Sequence, residues 1–252
     1  MKRIYIDDKL YHIAKDYAKD PFARRRKDFK RPPVLLQELY AALPEEDASY
    51  REYVQKIIDE YEDLNCLKPS EVARTKRKFD RILPEADLGK MFTIEGESAK
   101  FYDLIIKALR YDDLRKSDYI HNSGYLGLSI KTCVYCNAQL AVVLEKTAGG
   151  TQAKFQLDHI RPKSKYPFLA ISFFNLCPSC GNCNSVKNDN SVKFDLYTED
   201  SKDDLNPFLF YVTKDSIVKY MKSYDTRRCL KTMTKTLASR EFIIRRKILW
   251  QN

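Results

Sequence analysis

The residues able to do chemistry crowd into one stretch of this chain. Cys133-Val-Tyr-Cys136 and Cys180-Gly-Asn-Cys183 are cysteine pairs, each with two residues between its sulfurs. That spacing lets both sulfurs of a pair face one ion across a tight turn. Two such pairs supply four thiolates to one tetrahedral zinc, a closed structural site with no position left for substrate. Cys177-Pro-Ser-Cys180 has the same spacing, so the register of the second pair stays open on spacing alone. The 43 residues between Cys136 and Cys180 exceed a simple zinc ribbon and must form a structured insert. That insert holds Asp158-His159 and Asn175, and Asn184 and Lys187 follow the second pair. A carboxylate is a hard oxygen ligand for Mg²⁺ or Mn²⁺. An imidazole with an ordinary pKa of about 6.5 is mostly neutral at neutral pH and can take a proton from water. These are parts for metal-assisted hydrolysis.

The surrounding elements must bring these residues together. Gln139 to Glu145 is apolar and β-branched, Gly149-Gly150 is a turn, and Gln152 to Leu157 alternates, so a hairpin is expected. Before it, residues 1–125 read as mainly helical. Leu35, Leu36, Leu39 and Tyr40 share a helical face, as do Tyr53, Ile57, Ile58 and Tyr61. Pro32-Pro33, Pro69-Ser70-Glu71 and Pro84-Glu85 look like helix starts, and Ser98 to Tyr111 carries another amphipathic face. The Gly-containing stretch 122–128 breaks the pattern and suggests a boundary. After Asn206-Pro207 comes an extended piece, Phe208 to Val212, then a basic helix from about Thr226 to Trp250. The expected class is α+β: a mainly helical protein with a small zinc-stabilised unit embedded in it. The expected divisions are 1–125, 126–205 and 206–252.

Composition narrows the partners. Apolar residues make up 44% of the chain, enough for a core, which rules out a disordered tail. The seven cysteines are an odd number and are clustered, which fits metal in a reducing compartment better than a disulfide scaffold. No apolar run approaches the roughly 20 residues of a membrane span. Met1-Lys2-Arg3 is followed by Asp7-Asp8 where a signal peptide needs an apolar stretch, so a cytoplasmic location without membrane association is expected. The net charge is +10, and residues 207–252 carry 11 Lys and Arg against 3 Asp and Glu. Most of the excess charge therefore lies in that tail, and an anionic partner such as nucleic acid is expected.

With these residues in order, the chain resembles the HNH endonuclease family. The resemblance rests on Asp158-His159, on Asn175 five residues before Cys180, and on Cys180-Gly-Asn-Cys183-Asn184-Ser-Val-Lys187. It covers about 60 residues, Lys131 to Asn190. The Asn-to-Cys spacing of the family selects Cys180 with Cys183, leaving Cys177 outside the zinc site. Leu157-Asp-His-Ile-Arg-Pro-Lys-Ser-Lys-Tyr-Pro167 is more narrowly similar to HNH proteins of bacterial antiphage systems, among them the Septu HNH partner and its retron-linked relatives. Lys165-Tyr166 stands where many relatives have Gly-Gly.

The resemblance implies a ββα-metal unit with Asp158-His159 at the end of the first strand, Asn175 near the start of the second and Asn184 on the helix. His159 becomes the general base. Asp158 and Asn184 become ligands of a catalytic Mg²⁺ or Mn²⁺, separate from the structural Zn²⁺ on Cys133, Cys136, Cys180 and Cys183. Asn175 holds the loop and orients the imidazole. Arg161, Lys163, Lys165 and Lys187 surround the motif as candidate phosphate contacts. The implied activity is phosphodiester hydrolysis in DNA, or in RNA, with an ATPase of a defence system as protein partner. A silent zinc module that binds nucleic acid or scaffolds a complex is the competing expectation. It accounts for the cysteines and charge but not for the four polar residues at HNH positions. A cysteine hydrolase built on His159 and Cys177 lacks an orienting third group.

Overall fold

In a computed structural model of the chain, the described residues are 3–117, 130–145, 151–190, 192, 195–202, 208–212 and 218–222. The expected boundary at 122–128, the Gly149-Gly150 turn and the basic helix of residues 226–250 lie outside them.

Local chemistry sets the helix starts. α1 (Asp8–Lys19) opens where the Asp7 carboxylate accepts from Leu10 N at 2.7 Å. α2 (Pro32–Ala42) and α5 (Pro69–Ile82) each open on proline, whose missing N–H costs nothing in a first turn. α3 (Ala48–Asp59) and α4 (Tyr61–Asn65) lie between them. Pro84 precedes a single 3₁₀ turn, Glu85–Gly89, rather than an α-helix.

The region then departs from the helical reading. β2 (Met91–Ile94) and β3 (Glu97–Lys100) form an antiparallel hairpin. Its two turn residues, Glu95 and Gly96, have φ of 52° and 83°. Such a turn usually carries Asn-Gly or Asp-Gly, and the glutamate hid it. α6 (Phe101–Ala108) therefore starts later than the amphipathic face suggested, with Phe101, Ile105 and Ile106 buried. Arg110, at φ 58°, breaks the chain between α6 and the short α7 (Tyr111–Leu114).

The second half is built from small sheets. β4 (Val143–Glu145) and β5 (Thr151–Ala153) are the expected hairpin. β6 (Gln156–His159) pairs antiparallel with β7 (Leu176–Ser179), which sets Asp158 opposite Cys177 and His159 opposite Leu176. α8 (Gly181–Lys187) follows directly. β8 (Tyr197–Thr198) returns to pair in parallel with β1 (Ile4–Tyr5). β9 (Phe208–Val212) is the expected extended piece, paired with β10 (Val218–Lys222). Helices and small two-stranded sheets together make an α+β arrangement.

One apolar core joins the residues on either side of the expected boundary. Phe79 of α5 stacks on Phe168 with centroids 4.1 Å apart and planes 3° apart. The Tyr17 hydroxyl of α1 donates to the Ile171 carbonyl. The long loop between β6 and β7 is thus pinned to the N-terminal helices. Among the described residues, no helix is long and apolar enough to cross a membrane.

Candidate functional site

The sulfurs of Cys133, Cys136, Cys180 and Cys183 all lie within 4.8 Å of one another. A tetrahedral zinc with Zn–S bonds of about 2.3 Å separates its sulfurs by about 3.8 Å, so the set fits one ion. The Cys136 and Cys180 sulfurs are 4.0 Å apart. Backbone N–H groups of Ala138 and Cys183 point at Cys136 Sγ and Cys180 Sγ, at 3.5 and 3.4 Å. Such donors favour thiolate over thiol. The Cys133 thiol is held well below its ordinary value, first by the Cys183 thiol and then by the N–H groups of Cys136, Cys180 and Tyr135. Cys177 stands apart. It is fully buried, 3.3 Å from the Tyr135 hydroxyl, and burial pushes its thiol far up. Its sulfur lies outside the four-sulfur cluster, and that geometry favours Cys180 with Cys183 as the second pair.

β6 ends in Asp158 and His159, side by side in sequence and on opposite faces of the strand. Both are buried, at 6% and 4% exposure, yet both line one cleft of about 570 Å³. His159 Nε2 is 2.8 Å from the Ala170 carbonyl, which can only accept. Nε2 therefore carries the hydrogen, and Nδ1 keeps the lone pair. The ring leans on Tyr111, with centroids 4.5 Å apart. Burial drives the imidazole pKa down to about 3, against the opposing pull of the Ala170 bond. The neutral form is thereby fixed at neutral pH.

Asp158 accepts from the Tyr135 hydroxyl at 2.6 Å, and Lys187 Nζ lies 3.5 Å away. Burial raises its carboxyl pKa, and Lys187 and the Tyr135 bond pull the other way. Lys187 is only 1% exposed. The expected phosphate contact is instead the buried counter-ion of Asp158, because α8 folds it inward against β6.

Asn175 ends a 3₁₀ turn, Phe173–Asn175, just before β7. Its Oδ1 accepts from Arg161 N at 2.7 Å. Its Nδ2 donates to Arg161 O at 3.2 Å and Leu169 O at 3.0 Å. It staples the loop at both ends, as expected of it, but it does not touch the imidazole. The loop does that through Ala170. Asn184 sits on α8 and donates to Gln156 Oε1 at 2.6 Å. That bond uses the amide nitrogen, and a hard cation takes the oxygen. Asp158 and Asn184 line the same cleft.

The other expected phosphate contacts separate. Arg161 turns away, to Asp195 at 2.7 Å and Val192 O at 3.5 Å, and braces the backbone. Lys165 is exposed near Glu85, at 3.9 Å, outside the cleft lining. Lys163 lines the cleft and lies over the Tyr111 ring at 5.1 Å.

A 69-residue stretch is 33% identical to Septu protein PtuB of Bacillus thuringiensis. The stretch covers 27% of this chain and 23% of PtuB, so the chain spans under a quarter of that relative. No protein-family model matches the chain, and no solved structure matches it.

Some residues of the cleft were not legible in the sequence. Tyr111, Arg115 and Lys116 come from α7 and its end, more than 40 residues before His159. No motif marks them. Tyr135 reads in the sequence as a spacer between Cys133 and Cys136, and in the structure its hydroxyl reaches Asp158.

Proposed function

We propose that the protein is a metal-dependent nuclease of the HNH type that hydrolyses phosphodiester bonds of nucleic acid, DNA in the first instance. The observation that carries this reading is the state of His159. Its Nε2–H is tied to Ala170 O, its ring is kept neutral, and it lines a cleft beside a carboxylate. Nδ1 then keeps the lone pair, and in the substrate complex it would take the proton of the water that attacks phosphorus. Mg²⁺ or Mn²⁺, when bound, would steady the phosphate oxygens and the leaving 3′ oxygen. Asp158 and Asn184 are the oxygen donors that would hold it. Asp158 would share its charge with Lys187, so weak binding that substrate phosphate strengthens is the expectation. Zinc on the four cysteines would hold the loop of Tyr135 against β7.

The similarity to PtuB, a Septu protein, supports a role in antiphage defence; a cytoplasmic location and an ATPase partner are part of the proposal. The wider resemblance to retron-linked HNH proteins points the same way. One observation favours a second reading, a zinc module that binds nucleic acid or scaffolds a complex without cutting. The buried Lys187 ammonium already neutralises Asp158 at 3.5 Å.

The test is incubation of purified protein with plasmid, linear duplex, single-stranded DNA and total RNA. Each is tried with Mg²⁺, Mn²⁺ or EDTA. Cutting with metal and not with EDTA supports the nuclease and names its substrate class. Binding without cutting, in the presence of the partner ATPase as well, supports the second reading.

A further inference from the structure

The cleft that holds His159 has two walls, and only one belongs to the HNH-like stretch. That wall is made by Pro162 and Lys163 of the loop and by α8 with the residues after it. The other is made by Tyr111, Arg115 and Lys116. Its position is fixed. Tyr111 and Leu114 are buried, at 6% and 0% exposure. The Tyr111 hydroxyl donates to the carbonyl of Leu157, the residue before Asp158. Arg25 Nη2 donates to Asp113 O at 3.0 Å and ties α7 to the rest of the helical region. α7 is therefore anchored beside the imidazole.

The charges lining the cleft are Arg115, Lys116, Lys163 and Lys187 against Asp158 and Asp189. Lys187 is committed to Asp158. Arg115 and Lys116 are exposed. Arg115 Nε lies 2.8 Å from Asp112 Oδ1, but the two side chains are 49% and 75% exposed. Such a surface pair contributes little and gives way readily to a phosphate. The cavity, about 570 Å³, is of the size that holds a small-molecule ligand and has room for a nucleotide-sized group.

We propose that the helical N-terminal region is part of the substrate site, with Arg115 and Lys116 binding the sugar-phosphate backbone of the nucleic acid strand that enters the cleft. This rests on the nuclease reading. It gives the N-terminal half a task that no motif in it announces. The strand enters the cleft beside Arg115, Lys116 and Lys163, and its phosphate reaches His159. Arg115 and Lys116 position that strand and take no part in bond cleavage.

The experiment measures binding and cutting separately in the full-length chain. Binding of fluorescent duplex and single-stranded DNA and RNA is followed in a salt series, with EDTA to stop cleavage. Each phosphate contact contributes about 0.9 to the slope of log affinity against log salt for duplex DNA, and about 0.7 for a single strand. Arg115→Ala with Lys116→Ala should therefore flatten the slope by about 1.8 on duplex or about 1.4 on a single strand. KM should rise while kcat at saturating substrate stays near wild type. Zinc content and Tm should not move, because both side chains are exposed. Arg115→Glu with Lys116→Glu should weaken binding further.

An unchanged slope in both variants, with wild type binding and cutting normally, overturns the inference and leaves the nuclease reading intact. Lost antiphage activity with that unchanged slope would instead assign the end of α7 to docking a protein partner. A wild type that neither binds nor cuts any nucleic acid overturns both.

Discussion

The Tyr135 hydroxyl donates to Asp158 Oδ2 at 2.6 Å. Tyr135 stands between Cys133 and Cys136 of the four-cysteine cluster, and Asp158 stands beside His159. One hydrogen bond thus joins the thiolate cluster to the carboxylate of the cleft. The zinc loop is docked on β7 by Val134 N to Pro178 O, at 3.3 Å, so the hydroxyl is held from both sides.

Tyr135→Phe should keep zinc and fold but leave Asp158 Oδ2 short of a donor. Outer-shell partners of metal-binding groups typically contribute about 10–100-fold in metal affinity or activity. The Mn²⁺ concentration for half-maximal cutting, and Mn²⁺ binding followed by EPR, should both shift upward within that range. A shift that is absent in an Asp158→Asn background would confirm that the hydroxyl acts through the carboxylate. Equal Mn²⁺ binding by wild type and Tyr135→Phe would reduce the contact to packing.

Cys180→Ser should remove zinc and destabilise the whole unit. Structural zinc sites contribute about 10–16 kcal/mol of binding energy in small peptides, and a loss of only 3 kcal/mol lowers Tm by about 6–12 °C in a chain of this size. Cys177→Ser should keep the metal, because Cys177 lies outside the cluster. Zinc content by mass spectrometry and a melting curve separate the two. Zinc lost from Cys177→Ser and kept by Cys180→Ser would reverse the assignment.

His159 predicts a pH dependence of stability with a definite sign. In the unfolded chain the imidazole takes a proton below its ordinary value of 6.5, and in the folded chain burial excludes that proton down to about 3. Between those values the unfolded state binds more protons, so stability falls as pH falls. The slope from this one group approaches about 1.4 kcal/mol per pH unit. His159→Gln removes the titration, so the difference in unfolding free energy between wild type and variant should shrink steadily from pH 6.5 towards pH 4. A difference that does not change with pH contradicts the buried neutral imidazole.

Asn175→Ala leaves the N–H and carbonyl of Arg161 without this partner, while the carbonyl of Leu169 loses one donor and keeps Ser172 N. Each buried polar group left unpaired costs about 1–3 kcal/mol. The variant should lose several kcal/mol in urea unfolding, and its cutting should fall with the slackened Ala170 carbonyl. Activity lost with stability unchanged would instead give Asn175 a direct part in the chemistry.

Much of the site was legible because its chemistry needs fixed spacings. The two cysteine pairs and the hairpin before Asp158 follow from residue types at set distances, and the helix carrying Asn184 follows from the family resemblance. The fates of Arg161 and Lys187 were not legible. A cation near a motif can face solvent or fold inward, and which it does depends on Asp195 and Asp158 being close in space. The β2–β3 hairpin was missed because Glu95-Gly96 is a poor advertisement for a turn with both residues at positive φ. The wall made by Arg115 and Lys116 depends on α7 packing against β6. That long-range contact through Tyr111 leaves no trace in local sequence.

The central claim is that His159 Nδ1 is the base of a phosphodiester hydrolysis. The most direct test compares wild type and His159→Ala in single-turnover cutting of a bound duplex with Mg²⁺ or Mn²⁺. A general base contributes typically about 10²–10⁴-fold, so the variant should cut at least about a hundred times more slowly with unchanged substrate affinity and zinc content. Cutting by His159→Ala at the wild-type rate would contradict the account.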